Sequence, residues 1–247
     1  MTSFILKIIA LVAMFCDHFG DAYLKHFSIL NLIGRCAFPL FAFQISEGFV
    51  HTKNIKKYFF RLGIFALISQ IPFSLFMYKF FRDTSFSLNV FFTLFLGLLA
   101  IYLYNYINKL LNKLQTSIKT DNNNSSNKYV LFSKIVGIII VLLIAFIAEL
   151  FNTDYGSWGV LLVFTFYSLR NHRILRIIVF TLLVLIKYIS PLIQTNFNIV
   201  YILMFLATLL PILFIDLYNG KQGKKNKIFI IFILSSTFTF IVFAILN

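Results

Sequence analysis

The apolar run FILKIIALVAMFCDHFGDAY is interrupted by Asp17, His18 and Asp21. A histidine beside a carboxylate can act as a general base: the imidazole takes a proton from an amine or hydroxyl while the carboxylate fixes its tautomer. The same groups can relay protons, or simply fasten one helix to another. Neighbours on a helix diverge by about 100°, whereas residues three or four apart share a face. Asp21 is therefore the better orienter for His18, and Asp17 needs a break near Gly20 or a partner such as Arg35.

Further polar groups interrupt other apolar segments: Arg35 and Glu47, then Gln70, Asn89, Asp154 with Tyr155, and Asp216. Ionisable groups at membrane depth are costly and face a cavity or a partner. Helical rise places His18 about 21 Å beyond Phe4 and Arg35 about 9 Å beyond Ile29. With opposite directions of entry, His18, Arg35 and Asn89 fall at similar depth, and Asp154 and Tyr155 follow on the same side. Arg35 and Asn89 are candidate donors to a developing oxyanion. Arg35 can alternatively pair with Asp17 or Glu47, and Asn89, on one face with Thr93, can join helices.

The elements that must hold these groups follow from composition. Of 247 residues, 60% are hydrophobic and 12% charged, with 33 Phe, 12 Tyr and 1 Trp. Soluble domains carry about 25% charge, so the solvent for this chain is lipid. A bilayer core of about 30 Å takes about 20 helical residues, and apolar runs of that kind give about nine spans. They cover roughly 4–24, 29–52, 58–80, 88–111, 131–151, 156–170, 174–190, 197–217 and 228–246, the sixth and seventh being short. The fold expected is an all-α polytopic membrane bundle, a single transmembrane domain over 1–247 with a flexible cytoplasmic linker at about 114–129. The first span lacks a basic lead and a small-residue cleavage site, so it is expected to be retained.

The charge of +14 is asymmetric along the chain. Lys7, the basic group from Lys53 to Arg61, the lysines flanking the linker, Arg170, Arg173, Arg176 and the group from Lys221 to Lys227 share one side. Lys25, Lys79, Arg82 and Lys187 take the other. Short cytoplasmic loops collect Lys and Arg, which puts the amino terminus inside and explains the net charge without nucleic acid. Cys16 and Cys36 lie in apolar segments without disulfide or metal-ligand spacing.

Four stretches together resemble the TraX family of bacterial membrane proteins: KIIALVAMFCDHFG (7–20), GRCAFPLFAFQISEGFVHTKN (34–54), RLGIFALISQIPFSL (61–75) and LNVFFTLFLGLLAIYL (88–103). DYGSWGV (154–160) and LYNGKQG (217–223) extend the likeness over most of the chain. The resemblance implies a protein of the bacterial cytoplasmic membrane that acetylates the amino terminus of a pilin, with acetyl-CoA as donor and no metal. It is also similar to the wider transmembrane acyltransferases, which implies a transfer role for His18 and puts Lys7 where an arginine often stands. The last span, KIFIIFILSSTFTFIVFAILN, lacks the family's tyrosine–proline and histidine element.

The expectation is thus an acyltransferase with His18, Asp17, Asp21, Arg35 and Asn89 as catalytic candidates. Lys53, Lys56, Lys57, Arg61 and Lys7 would meet the donor's phosphates. Glu47, His51, Gln70, Asp154 and Tyr155 would line a polar route, and the acceptor would be a pilin-like protein or a cell-surface glycan. The rivals are a proton-coupled transporter and a non-catalytic assembly factor for surface structures.

Overall fold

The computed structural model describes residues 1–24, 28–81, 86–117 and 123–223. These form α1 (Ser3–Tyr23), α2 (Ile29–Gly34), α3 (Ala37–His51), α4 (Ile55–Phe76) with a π-turn at Met77–Phe81, α5 (Val90–Ser117) and α6 (Asn123–Leu150). They continue as α7 (Gly156–Ser168), α8 (Arg173–Gln194), α9 (Ile199–Leu209) and α10 (Pro211–Asp216). The architecture is an all-α membrane bundle, and the described residues contain no strand.

Nine spans are expected from the sequence, and the described residues account for them as follows. Seven helices or helix pairs among the described residues are long and apolar enough to cross a bilayer. The eighth, α7, has 13 residues, about 20 Å of rise against a core of about 30 Å. It can be short because it meets protein instead of lipid: Val160, Leu162, Val163 and Phe166 are fully buried, against α3, α5, α6 and α8. The seventh expected span is longer than its apolar run suggests, since α8 carries its 22 residues past Lys187 and Pro191. The ninth, 228–246, lies outside the described residues. Helices α5 and α6 reach into the expected linker, to Ser117 and from Asn123, with 118–122 outside the described residues.

Large apolar side chains cover the outer surface, among them Ile29, Ile71, Leu150 and Ile174. This is an integral membrane protein. Lipid provides no hydrophobic drive for helix pairing, so close approach and shape do the work. Buried Ala10, Ala42, Ala100, Ala145 and Ala148 permit that approach, and Phe38, Leu40, Phe43, Leu98, Leu162, Phe166 and Phe180 fill the centre.

The two ends of the bundle are tied differently. At the basic end, residues 217–223 cross the start of α1: Ser3 N donates to Lys221 O (2.9 Å) and Phe4 N to Gln222 O (3.2 Å). Ser3 Oγ also donates to Gln44 Oε1 (2.8 Å). At the opposite end, Leu88 pairs with the α6–α7 loop, its N–H donating to Asn152 O (3.1 Å) and its C=O accepting from Asp154 N (2.9 Å). Those bonds satisfy backbone groups of the loop that the helices leave unpaired.

Candidate functional site

At the end opposite the basic face, α1, the first turns of α3, the second half of α4, the entry to α5 and the α6–α7 loop enclose a cavity of about 70 Å³. Asp17, His18, Ser69, Asn89, Asp154 and Tyr155 are its polar lining, and Met14, Phe38, Phe41 and Phe73 are among its apolar walls. His18 packs edge-on against Phe76, ring centroids 5.5 Å apart. Ser69 Oγ is buried and has no hydrogen-bond partner among the described residues. The site sits beside Pro72, which lacks an amide N–H and interrupts the α4 ladder.

Behind this wall Arg35 Nη2 donates to both Asp17 oxygens, at 2.6 and 2.9 Å. Of the two partners open to Arg35 in the sequence, the fold selects Asp17. The break between α2 and α3 makes this possible: Arg35 stands at the end of α2, and its Nε bonds back to Asn31 O (3.3 Å). Gly34 lies directly against the Asp17 side chain, and a Cβ there would collide with it. Asp21 is engaged by α2. It accepts from Asn31 Nδ2 (2.7 Å), while Asn31 Oδ1 accepts from Ser28 N (3.0 Å) and Oγ (2.8 Å).

Asn89 reaches the cavity with its amide already committed. Its Nδ2 donates to Ala66 O (2.8 Å) and Gln70 Oε1 (3.0 Å), and its Oδ1 accepts from Phe91 N (2.9 Å), capping α5. Gln70 Nε2 donates to Ser87 O (2.8 Å). These two residues lock α4 to the start of α5, and Asn89 serves an oxyanion only by giving up one of those bonds.

The far wall is aromatic. Tyr155 stacks on the buried ring of Phe38 at 3.7 Å and 7°. Gly156 follows with φ of +49°, a left-handed turn that glycine adopts without strain. Lys187 Nζ sits over the rings of Tyr155 (4.3 Å) and Trp158 (4.1 Å), and Trp158 Nε1 donates to Leu183 O (2.8 Å). A cation so placed is held by the ring quadrupoles. Asp154 is accessible at the cavity mouth but surrounded by protein, and this desolvation pushes its carboxyl up to about 6, opposed by the charges of Lys187 and Arg35. The sequence analysis read Lys187 only as an outer-side charge and did not single out Ser69. The signal for Lys187 was present, as a lone cation well inside an apolar helix; a serine among apolar residues gives none.

A family model described as TraX protein matches residues 3–246. The chain belongs to the TraX family. It is also similar to a probable fimbrial assembly protein FimC, serogroup H1, of Dichelobacter nodosus. The two are 28% identical over 241 residues, covering 91% of this chain and 86% of that protein. No solved structure matches it.

The remaining site candidates of this TraX-family chain lie toward the basic face. Glu47 pairs with His51 Nε2 (3.3 Å) and lies within electrostatic reach of Tyr218. Lys53, Lys56, Lys57 and Arg61 are all exposed, at the α3–α4 turn and on the first turns of α4. Lys7 is half-buried on α1, within electrostatic reach of Arg61. The fold therefore brings Asp17, His18, Asn89, Asp154 and Tyr155 together, with Arg35 one residue behind, and separates them from the basic group.

Proposed function

We propose that this TraX-family protein is an acyltransferase of the bacterial cytoplasmic membrane. It moves an acetyl group from cytoplasmic acetyl-CoA to an amine or hydroxyl on the outer side, and the acceptor is a pilin-like protein or a cell-surface glycan. The observation that carries this reading is the convergence of His18, Asp17, Asp154 and the Ser69 hydroxyl on one small cavity. A volume of about 70 Å³ admits several water-sized groups, enough for an acetyl and the atom that attacks it.

In this mechanism the acceptor N–H or O–H gives its proton to His18 as the nitrogen or oxygen bonds to the thioester carbonyl carbon. The carbon–sulfur bond then breaks, and His18 returns the proton to the departing thiolate. Asp17, fixed by Arg35, offers a negative charge beside the imidazolium. The Ser69 hydroxyl is the donor for the developing oxyanion, since the Asn89 amide is already bonded. Phe38, Phe41 and Phe73 keep water away from the reacting carbonyl.

One observation favours a second reading, a non-catalytic factor in surface-structure assembly. The Asp17–Arg35 and Asp21–Asn31 bonds are well satisfied, as helix-fastening contacts would be. The fimbrial assembly name of the relative accords with either reading. The two separate in a melting experiment on the purified protein with acetyl-CoA, CoA and ATP. A ligand that binds the native state raises the melting temperature by mass action. The acyltransferase reading expects a rise with both CoA species larger than any with ATP at the same concentration, retained in His18→Gln; no rise at millimolar acetyl-CoA contradicts it.

A further inference from the structure

A second polar cavity, of about 420 Å³, opens on the basic face between α3, the α7–α8 loop, the start of α8 and α10. Arg170, Arg173 and Arg176 surround it, with Asp216, Glu47 and Tyr218. Asp216 Oδ2 meets Arg173 Nε at 3.4 Å and its Oδ1 meets Arg176 Nη2 at 3.1 Å. Arg176 Nη1 donates to Arg170 O (3.3 Å), which ties the loop to the helix. Each guanidinium has five N–H donors, so one carboxylate leaves most of them uncommitted. Arg176 Nε is buried without a hydrogen-bond partner among the described residues, on a side chain only 11% exposed. Glu47 is paired with His51. The start of α8 adds its dipole, and His172 offers no side-chain cap to its first N–H groups.

Topology accounts for arginines in a cytoplasmic loop. It does not account for three of them around a cavity, one nearly buried with an unused donor. We propose that this cavity binds phosphate esters through Arg170, Arg173 and Arg176. The inference rests on the acyltransferase reading in one respect: under it, the donor's phosphates sit here and not on exposed Lys53, Lys56, Lys57 and Arg61. Helix α3 joins the two sites, since Phe41 lines the outer cavity and Glu47 this one, about 9 Å of rise apart. The same phosphate chemistry is offered by the head group of an anionic phospholipid, which basic pockets between membrane helices also hold.

The test uses the full chain in phosphatidylcholine nanodiscs, titrated with CoA and with pyrophosphate, and in parallel discs containing phosphatidylglycerol. Arg170→Gln/Arg173→Gln is compared with Lys56→Gln/Lys57→Gln. All four side chains are exposed, and melting without ligand verifies the fold of each variant. The expected result is CoA and pyrophosphate affinity at least about tenfold weaker in the arginine variant, the loss of charge-assisted bonds, and unchanged in the lysine variant. If only phosphatidylglycerol stabilises the protein in an arginine-dependent way, the phosphate site stands and the CoA-donor reading falls. If CoA binds equally to the wild type and the arginine variant, or no anion's effect depends on Arg170 and Arg173, the proposal is overturned whatever becomes of acyl transfer.

Discussion

Arg35 grips Asp17 through one guanidinium nitrogen that donates to both carboxylate oxygens, at 2.6 and 2.9 Å, across the break between α2 and α3. Removing one partner of such a pair strands the other at membrane depth. Asp17→Asn and Arg35→Gln should each cost about 3 kcal/mol, the low end for a buried pair because Arg35 is 25% exposed. The double variant should recover part of that loss. Denaturation of all three in detergent gives the coupling, and additive losses would show that the pair contributes nothing beyond its separate residues.

Gly34 provides the close approach that lets Asp17 lie against α2. Gly34→Ala pushes a methyl group into the Asp17 side chain, and overpacking of this kind costs about 1–3 kcal/mol. The expected pattern is a lowered melting temperature in Gly34→Ala, and a smaller drop when the same change is made in an Asp17→Ala background. A Gly34→Ala protein as stable as wild type would refute the contact.

Asp154 contributes a pH dependence to stability. A carboxyl pushed up to about 6 favours the folded state in its neutral form. Its contribution is full below the ordinary value of 3.8 and is lost as pH rises through about 6. The melting temperature of wild type relative to Asp154→Asn should therefore fall between pH 4 and pH 7. A difference that stays constant with pH would contradict the raised value.

Much of this arrangement was legible in the sequence because helical periodicity and charge bias are local signals. Rise per residue put His18, Arg35 and Asn89 at one depth with Asp154 on the same side; the cavity contains His18, Asn89 and Asp154, and Arg35 stands behind its wall on Asp17. The short α7 was less legible, because an apolar run shows hydrophobicity without showing whether lipid or protein surrounds it. Asp21 was assigned to His18 on helical spacing alone; its bond to Asn31 depends on where α2 turns back, which spacing on α1 does not contain. Asn89 was recognised as a polar group at the right depth. Its cap on α5 and its bonds to α4 required the fold.

Ser69 and Asn89 should behave oppositely. Ser69→Ala removes a hydroxyl with no described partner, so stability should hold or rise. Transfer should fall about 100-fold if that hydroxyl serves the oxyanion. Asn89→Ala breaks three hydrogen bonds and should destabilise by about 1–3 kcal/mol or more. Paired melting and turnover measurements check both, and a Ser69→Ala enzyme with wild-type turnover would remove Ser69 from the mechanism.

The most direct test of acyl transfer is covalent. Inside-out membrane vesicles containing the wild-type protein or His18→Gln are given acetyl-CoA with an isotopically labelled acetyl group on the exposed cytoplasmic face, and macromolecules of the lumen are analysed by mass spectrometry. His18-dependent label on a luminal amine or hydroxyl, with release of free CoA thiol outside, is the result that acyl transfer predicts. Equal labelling, or none, from the wild type and an equally well folded His18→Gln protein would contradict it.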